Sequence, residues 1–385
     1  MSKNDDTSES GLLKLLSVNS RIGIDEIAQK LHVSKSVAAS LLEQAKAKYG
    51  ITLVPELSFD NLWHMEFARQ ARMQTKRGII GEASEIIANT GFNEYALQIN
   101  FLDKAPSDKE LVDALGDSYI VQFLARTKGK YDIWAYLVSR TYEEIRYMLE
   151  KMNKKLGKYS MTESVSRIWT EHGFFPISAK LVQQFNLFDS YKNLILGLLE
   201  NGRRTFSEIG GTYAQGSTQM IYAYDRLIKT NVIKRMTYYE STPERRFGAI
   251  AQITVTNQEQ FEKSKEAWYT SMVKQDEDDE CLYTYIASTM EPIGSIAIIN
   301  TKTNDELKRQ IDKLSSMQGA SVSYSLLQNP IIGKIGIRNF DMRYSDIYAY
   351  LESRNKVARF EPRLSKSVEE APDFYGTNER QANWQ

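Results

Sequence analysis

The chain has 385 residues, enough for several domains with their own cores, and its 42% hydrophobic and 25% charged residues are ordinary for a globular protein. Its 49 basic and 49 acidic residues cancel, so affinity for a polyanion must come from local patches. No apolar run approaches the roughly 18 residues of a membrane span, the N-terminus Met1-Ser2-Lys3-Asn4-Asp5-Asp6 is polar, and Cys281 is the single cysteine. These features argue against a membrane span, a secretory signal, an intrachain disulfide and a Cys-based zinc site, and the expected location is cytoplasmic.

Taken in order, Leu12, Leu13, Leu15 and Leu16 form the apolar face of a first helix, and Ile22 and Ile24 lead into a second. Residues 25–31 carry Ile27, Ala28 and Leu31 at helical spacing. His32-Val33 breaks the pattern, and Ser34, a good N-cap, opens a longer helix that runs to Gly50. Two helices joined by so short a turn predict a helix-turn-helix, and Ile51-Thr52-Leu53-Val54, ended by Pro55, predicts its wing. Over 61–91, Trp63, Phe67 and Ala71 recur every four residues as one face of a helical insert, with Arg69, Arg72 and Lys76 on another.

From Glu94 the period becomes alternating. Strands are expected at Tyr95–Phe101, Tyr119–Arg126, Tyr131–Val138 and Tyr159–Ile168, with helices at Lys109–Leu115 and Tyr142–Leu156. That βαββαβ order is the ferredoxin-like module. After a connection, Leu194, Leu198 and Leu199 begin a second helical unit that ends in a wing at Lys234–Tyr239. A second βαββαβ series follows: strand Phe247–Val255, helix Gln258–Lys274, strands Leu282–Thr289 and Ser295–Asn300, helix Asn304–Met317 and strand Ala320–Leu327.

An internal repeat underlies this order. Glu26 and Glu208, Ile27 and Ile209, and Ile51 and Ile233 are each separated by the same interval (208 − 26 = 182), without a gap. The expected architecture is α+β: a winged helix-turn-helix over 8–60, a helical insert over 61–93, a ferredoxin-like module over 94–178, a second winged helix-turn-helix over 187–240 and a second ferredoxin-like module over 245–330. An extension follows over 331–360, and the polar tail 361–385 is expected to be disordered.

A recognition helix here would present Lys35, Ser36, Val37, Ala39, Ser40 and Gln44, with Ala38, Leu42 and Ala45 turned inward. In the second copy Ser217, Thr218, Gln219, Ile221, Tyr222 and Arg226 face outward, and Met220, Tyr224 and Leu227 face in. Cations that would hold phosphates flank these helices: Lys46 and Lys48; Arg203 and Arg204; Lys229, Lys234 and Arg235; Arg245 and Arg246. The plain alternative for each cluster is a solvated face. The three histidines, His32, His64 and His172, lack ligand spacing. The acidic run Asp276–Glu280 reads as a solvated loop, and Cys281 as a buried thiol at a strand start. No nucleophile-base set or phosphate-cradling glycine loop is present, so neither a metal nor a cofactor nor an enzymatic activity is expected.

Ile27-Ala28 in the first helix-turn-helix and Gly129-Lys130-Tyr131-Asp132 between the central strands, together with the alternation of modules, resemble the Lrp/AsnC ("feast/famine") transcription regulators in tandem form. The resemblance spans roughly residues 8–330. It implies a sequence-specific regulator that binds double-stranded DNA, whose sheets pair between subunits (a homo-oligomer) or, in a tandem chain, within it (a pseudo-dimer). A small-molecule effector is implied near Gly129, Tyr131 and Asp132, where Asp132 would receive an amino group and Gly129 would let backbone amides approach a carboxylate. The chain departs from that pattern in the insert 61–91, in Pro292-Ile293-Gly294-Ser295 at the second turn, and in Gly210, Gly211 and Gly216 of the second helix-turn-helix. A rival resemblance exists. Siroheme decarboxylases look like the same modules used as enzymes, and Arg245-Arg246-Phe247-Gly248-Ala249 is similar to a stretch of that family, although this chain has Gln252-Ile253 where the family has a histidine. A third reading is a non-catalytic scaffold that binds another protein through its sheets or the insert.

Overall fold

The computed structural model describes residues 9, 11–16, 19–76, 92–173, 177–239, 247–261, 263–264, 281–290, 293–301 and 303–333. The chain divides into two units, Met1–Met342 and Arg343–Gln385, and every element described below belongs to the first. Outside the described residues lie the expected tail, nearly all of the 331–360 extension, insert residues 77–91, Arg245, Arg246, Pro292, the acidic run Asp276–Glu280 and most of the helix expected over Gln258–Lys274.

The chain builds two helical units in the same register. Helix α1 (Ile24–Leu31) and helix α2 (Lys35–Tyr49) begin 182 residues before helix α8 (Phe206–Thr212) and helix α9 (Ser217–Lys229), since 206 − 24 and 217 − 35 give the same shift. A third helix closes each unit: residues 11–16 in the first and α7 (Asp189–Glu200) in the second. The turn repeats as well, with the left-handed residues His32 (φ 54°) and Ala214 (φ 53°) in matching places. Leu12, Leu16, Ile27, Ala38, Leu42 and Ala45 form the buried core of the first unit. Leu194, Leu198, Ile209, Met220, Ala223 and Leu227 do the same in the second.

Each unit is followed by a strand, β1 (Thr52–Leu57) and β6 (Ile233–Tyr239), and these two pair antiparallel with each other in a two-stranded sheet. Pro55 was expected to end the first strand. It lies inside it instead, opposite Met236, because a strand with one neighbour leaves half its amides unneeded and so tolerates a residue without an N–H. The pairing exchanges side chains: Tyr238 of β6 is buried in the core of the first helical unit, and Leu57 of β1 in the core that contains the second. Ser20 N donates to Met236 O (2.9 Å) and Gly202 N to Leu53 O (2.8 Å), a matching link in each half with the acceptor displaced by one residue (202 − 20 = 182, 236 − 53 = 183).

Helix α3 (Phe59–Lys76) leads to β2 (Asn93–Phe101), α4 (Asp108–Leu115), β3 (Val121–Gly129), β4 (Ile133–Ser139), α5 (Tyr142–Lys155) and β5 (Met161–Gly173). After α6 (Ala179–Gln184) and the second helical unit come β7 (Phe247–Val255), β8 (Cys281–Met290), β9 (Ile293–Thr301), α10 (Asn304–Ser315) and β10 (Ala320–Ile332). Strands β2–β5 and β7–β10 each assemble in the order second, third, first, fourth, and all pairs described are antiparallel. The mixed α+β class with antiparallel sheets is thus as expected. The two sheets join at both edges, β10 to β3 and β5 to β8, into a closed barrel. Closure removes the exposed edges that would otherwise recruit another chain.

Alternation along the strands sorts the core. Leu97, Leu124, Ala135 and Leu137 pack on Leu111 and Leu115 of α4 and Ile145 and Met148 of α5. Residues of the other parity (Phe123, Trp134, Tyr136, Ile250 and Ile298) lie inside the barrel and are continuous with the core of the second helical unit. A bulge between Val121 and Phe123 explains why Val121 and Leu124, of opposite parity, share one face.

Candidate nucleic-acid interface

The two longer helices of the repeat present outward faces made of the residues that sequence assigned to them. On α2, Lys35, Ser36, Val37, Ser40 and Gln44 are exposed and Ala39 is half-buried. Ala38, Leu42 and Ala45 are buried. On α9, Ser217, Thr218, Gln219, Ile221 and Tyr222 are exposed, Tyr222 to 71%, while Arg226 is half-buried. Met220, Ala223 and Leu227 are buried. Tyr224, expected to face inward, is half-buried, with its ring centroid 5.2 Å from that of Phe206.

Local chemistry sets these faces. Ser34 caps α2, its hydroxyl accepting from Val37 N at 3.3 Å, which satisfies one orphan amide of the first turn. Gly216 caps α9 without a side-chain bond. In the turn of the second unit Gln215 N donates to Gly210 O at 2.8 Å. A Cβ on Gly210 would lie 2.5 Å from Gln215 O, so the glycine that weakens α8 is what allows the turn to close.

Most of the flanking cations are committed within the chain. Lys35 pairs with Asp25 (2.7 Å), Lys46 with Glu43 (2.7 Å) and Lys48 with Glu9 (2.8 Å), and the Glu9 bond holds the Lys48 ammonium above its usual range. Arg204 pairs with Glu200 and donates to Thr212 Oγ1. Lys234 (4.0 Å) and Arg235 (2.9 Å) both face the buried carboxylate of Glu56 across the β1–β6 ladder. Lys229 is exposed. Arg203 bonds the carbonyls of Ser20 and Ile22, and Arg21, which sequence reasoning overlooked, bonds those of Gly202 and Arg204. The signal was available: the repeat carries Arg21 onto Arg203 (203 − 21 = 182).

The Gly129-Lys130-Tyr131-Asp132 turn lies at the β3–β10 seam. Gly129 has φ 146° and faces Ser325, whose hydroxyl accepts from Tyr131 N at 3.0 Å. Tyr131 Oη donates to Gln252 Oε1 (3.0 Å), which also accepts from Gln98 Nε2 (3.0 Å). The void beside them, lined also by Thr127, Trp134 and Ile250, is about 10 Å³, space for about one water. Asp132 Oδ2 accepts from Phe101 N at 2.8 Å, and Thr127 Oγ1 donates to Tyr131 O. Among the described residues no helix is long and apolar enough to cross a membrane.

No protein-family model matches the chain, and no curated protein matches it in sequence. Among solved structures, the siroheme decarboxylase NirDL aligns over 91% of this chain and 99% of its own at 11% identity, with a TM-score of 0.51. The same enzyme in complex with an iron-uroporphyrin III analogue aligns over 90% and 99% at 9% identity, with a TM-score of 0.50. A Pyrococcus furiosus transcriptional regulatory protein of the AsnC family aligns over 37% of this chain and 89% of its own at 19% identity, with a TM-score of 0.30. At such identities the likeness is one of fold. It still overturns the expectation that the chain is not an enzyme, because a solved structure that shares this fold over nearly its full length is an enzyme. The expectation rested on missing catalytic motifs, and motifs of that kind describe particular sites rather than what a scaffold can carry.

Proposed function

We propose that the chain is a DNA-binding transcription regulator of Lrp/AsnC type, whose two helical units with β1 and β6 act as winged helix-turn-helix readers and whose sheets are ferredoxin-like modules closed into an intrachain pseudo-dimer. The observation that carries this reading is the pair of exposed faces on α2 and α9, equivalent under the repeat and backed by buried cores. Hydroxyls and amides on these faces (Ser36, Ser40, Gln44, Thr218, Gln219) suit base edges and phosphate oxygens, and Tyr222 adds an exposed ring. Three cations toward the outer sides of these helices, Lys35, Arg226 and Lys229, are suited to phosphates, Lys35 by exchanging its exposed Asp25 partner for a phosphate oxygen. Neutralising about three phosphates gives a slope of log affinity against log salt of about −3, shallow for a DNA-binding protein.

Fluorescence anisotropy with genomic fragments and random duplexes, titrated over salt, tests the reading. A fragment bound at least tenfold more tightly than random duplex is expected. Gln219→Ala with Tyr222→Ala should weaken that binding by about 1–3 kcal/mol. Equal affinity for every duplex, or no change in the variant, would reject sequence-specific regulation.

A second reading, an enzyme acting on a tetrapyrrole, is favoured by the fold shared with siroheme decarboxylase over nine-tenths of the chain. The position aligned by sequence with that family's histidine holds the Gln252 amide, bonded to Gln98 and Tyr131. Adding siroheme or iron-uroporphyrin III and following its absorbance tests this reading: a saturable spectral shift supports it, and an unchanged spectrum rejects it. The two readings use different parts of the fold.

A further inference from the structure

Arg21 and Arg203 occupy the same place in the two repeats and lock the helical units together. Each reaches into the other half: Arg21 Nη1 donates to Gly202 O and Arg204 O (2.6 and 3.0 Å), and Arg203 donates to Ser20 O (Nε, 3.0 Å) and Ile22 O. The Arg21 guanidinium also lies 4.9 Å from the Phe206 ring centre. Both side chains are half-buried, and every one of these acceptors is a neutral carbonyl. Neither arginine has a carboxylate within 4.0 Å among the described residues. The acidic groups near the cleft are engaged elsewhere: Asp25 with Lys35 (2.7 Å), Glu26 with Lys30 (3.5 Å) and Glu43 with Lys46 (2.7 Å). Two like charges thus stand side by side with no carboxylate bonded to either, Glu43 acting on Arg203 only from beyond bonding distance, and a clamp made only for carbonyls needs no charge.

Between them opens a polar cleft of about 260 Å³, lined by Arg21, Ile22, Gly23, Ile24 and Arg203. Its wall includes the start of α1, whose N-cap Gly23 offers no side chain to the first-turn amides, leaving the positive end of the helix dipole toward the cleft. Burial, and for Arg203 the neighbouring Arg21 charge, push both guanidiniums below their usual range. An anion placed between them would reverse that. A guanidinium carries five N–H donors in a planar fork suited to oxyanions, and the carbonyl bonds leave Nε and Nη2 of Arg21 and Nη1 of Arg203 unused.

We infer that this cleft is an anion site that takes a phosphate group, held jointly by Arg21 and Arg203 at the junction of the two helical units. Phosphate fits better than a carboxylate because its tetrahedral oxygens can face both forks and the α1 amides at once. The phosphate can be free, as inorganic phosphate or a monoester, or can belong to a nucleic-acid backbone. The inference stands on the cleft itself and not on the DNA-binding reading.

The experiment uses the full chain with inorganic phosphate as probe. Thermal unfolding is compared in phosphate and in chloride at equal ionic strength, and the affinity is measured by calorimetry. A ligand that binds only the folded state raises the midpoint in a saturable way, and that rise is expected in phosphate alone. Arg21→Gln and Arg203→Gln should each weaken binding at least tenfold, Arg203→Lys less so, and Lys104→Gln, an exposed change elsewhere, not at all. Should a glutamine variant fail to fold, phosphorus-31 line broadening with the unmodified chain and with Arg203→Lys decides the matter. Equal midpoints in the two salts with no broadening, or undiminished binding in the arginine variants, would overturn the site. If saturating phosphate displaces a duplex beyond the effect of ionic strength, the site takes the backbone phosphodiester; if the duplex is unaffected, it takes the free ion or a monoester. Loss of the DNA-binding reading leaves the phosphate titration intact.

Discussion

Gly129 shows how one residue serves the closure of the barrel. Its φ of 146° is a conformation that side chains rarely adopt, and an added Cβ would lie 2.9 Å from Tyr324 O and 3.0 Å from Ser325 Cα on the facing strand β10. Gly129→Ala should therefore cost about 1–3 kcal/mol, read as a lower urea midpoint; an unchanged midpoint would mean that the seam can relax around a methyl group. Glu110 offers a pH test. Its carboxyl is held well below the usual carboxylate range, first by Lys158 (2.6 Å), then by the Ser107 amide and hydroxyl (2.8 Å each) and by the Tyr159 hydroxyl (2.9 Å). A carboxyl with a depressed folded-state pKa contributes stability that is complete above its ordinary value of 4.5 and is lost as the pH falls below it. Glu110→Gln should accordingly be less stable than the parent at pH 7, with the gap shrinking as the pH is lowered through 4.5 toward 3. A gap of constant size would assign Glu110 a purely steric role.

The helix termini carry a paired prediction. Ser34→Ala removes the bond to Val37 N and should destabilise the chain by about 1 kcal/mol. Gly216→Ser, at the equivalent cap of α9 where a Cβ meets nothing within 4 Å, should stabilise it by a few tenths of a kcal/mol. Chemical denaturation of both variants checks the signs, and a shared sign would show that the caps are not equivalent. Much at this scale was legible in the sequence. Apolar spacing and Ser34 located α2, the strand Phe247–Val255 has the bounds expected for it, and the constant shift matched the helices of the two units. What escaped were partners. Nothing local says that β1 pairs with β6, that Pro55 sits within a strand because its other side is unpaired, or that β10 seals against β3. The flanking cations show the same limit, since Lys234 and Arg235 read as phosphate holders until Glu56, far away in sequence, is found between them.

At the scale of the molecule, the two modules face each other inside the barrel through a polar contact. Gln98 of β2 and Gln252 of β7 hold the same place in their strands, are buried to 2% and 6% exposure, and are joined by a single hydrogen bond at 3.0 Å, leaving Gln98 Oε1 without a partner. Gln252 Oε1 also accepts from Tyr131 Oη, so its loss strands two donors, whereas loss of Gln98 leaves the Tyr131 bond standing. A buried polar group left unpaired costs about 1–3 kcal/mol, while removing both partners together can be nearly neutral. Gln252→Leu should therefore destabilise more than Gln98→Leu. Adding Gln98→Leu and Tyr131→Phe to Gln252→Leu should recover most of the loss, giving a coupling energy of about 1–3 kcal/mol in a mutant cycle. Urea unfolding of the singles and the combined variant measures it. Additive costs would mean that the amides do not communicate across the barrel and that the modules are joined by their strand seams alone. Strong coupling would make this amide pair a register device between halves, a polar contact that apolar packing at the same place could replace without loss of stability.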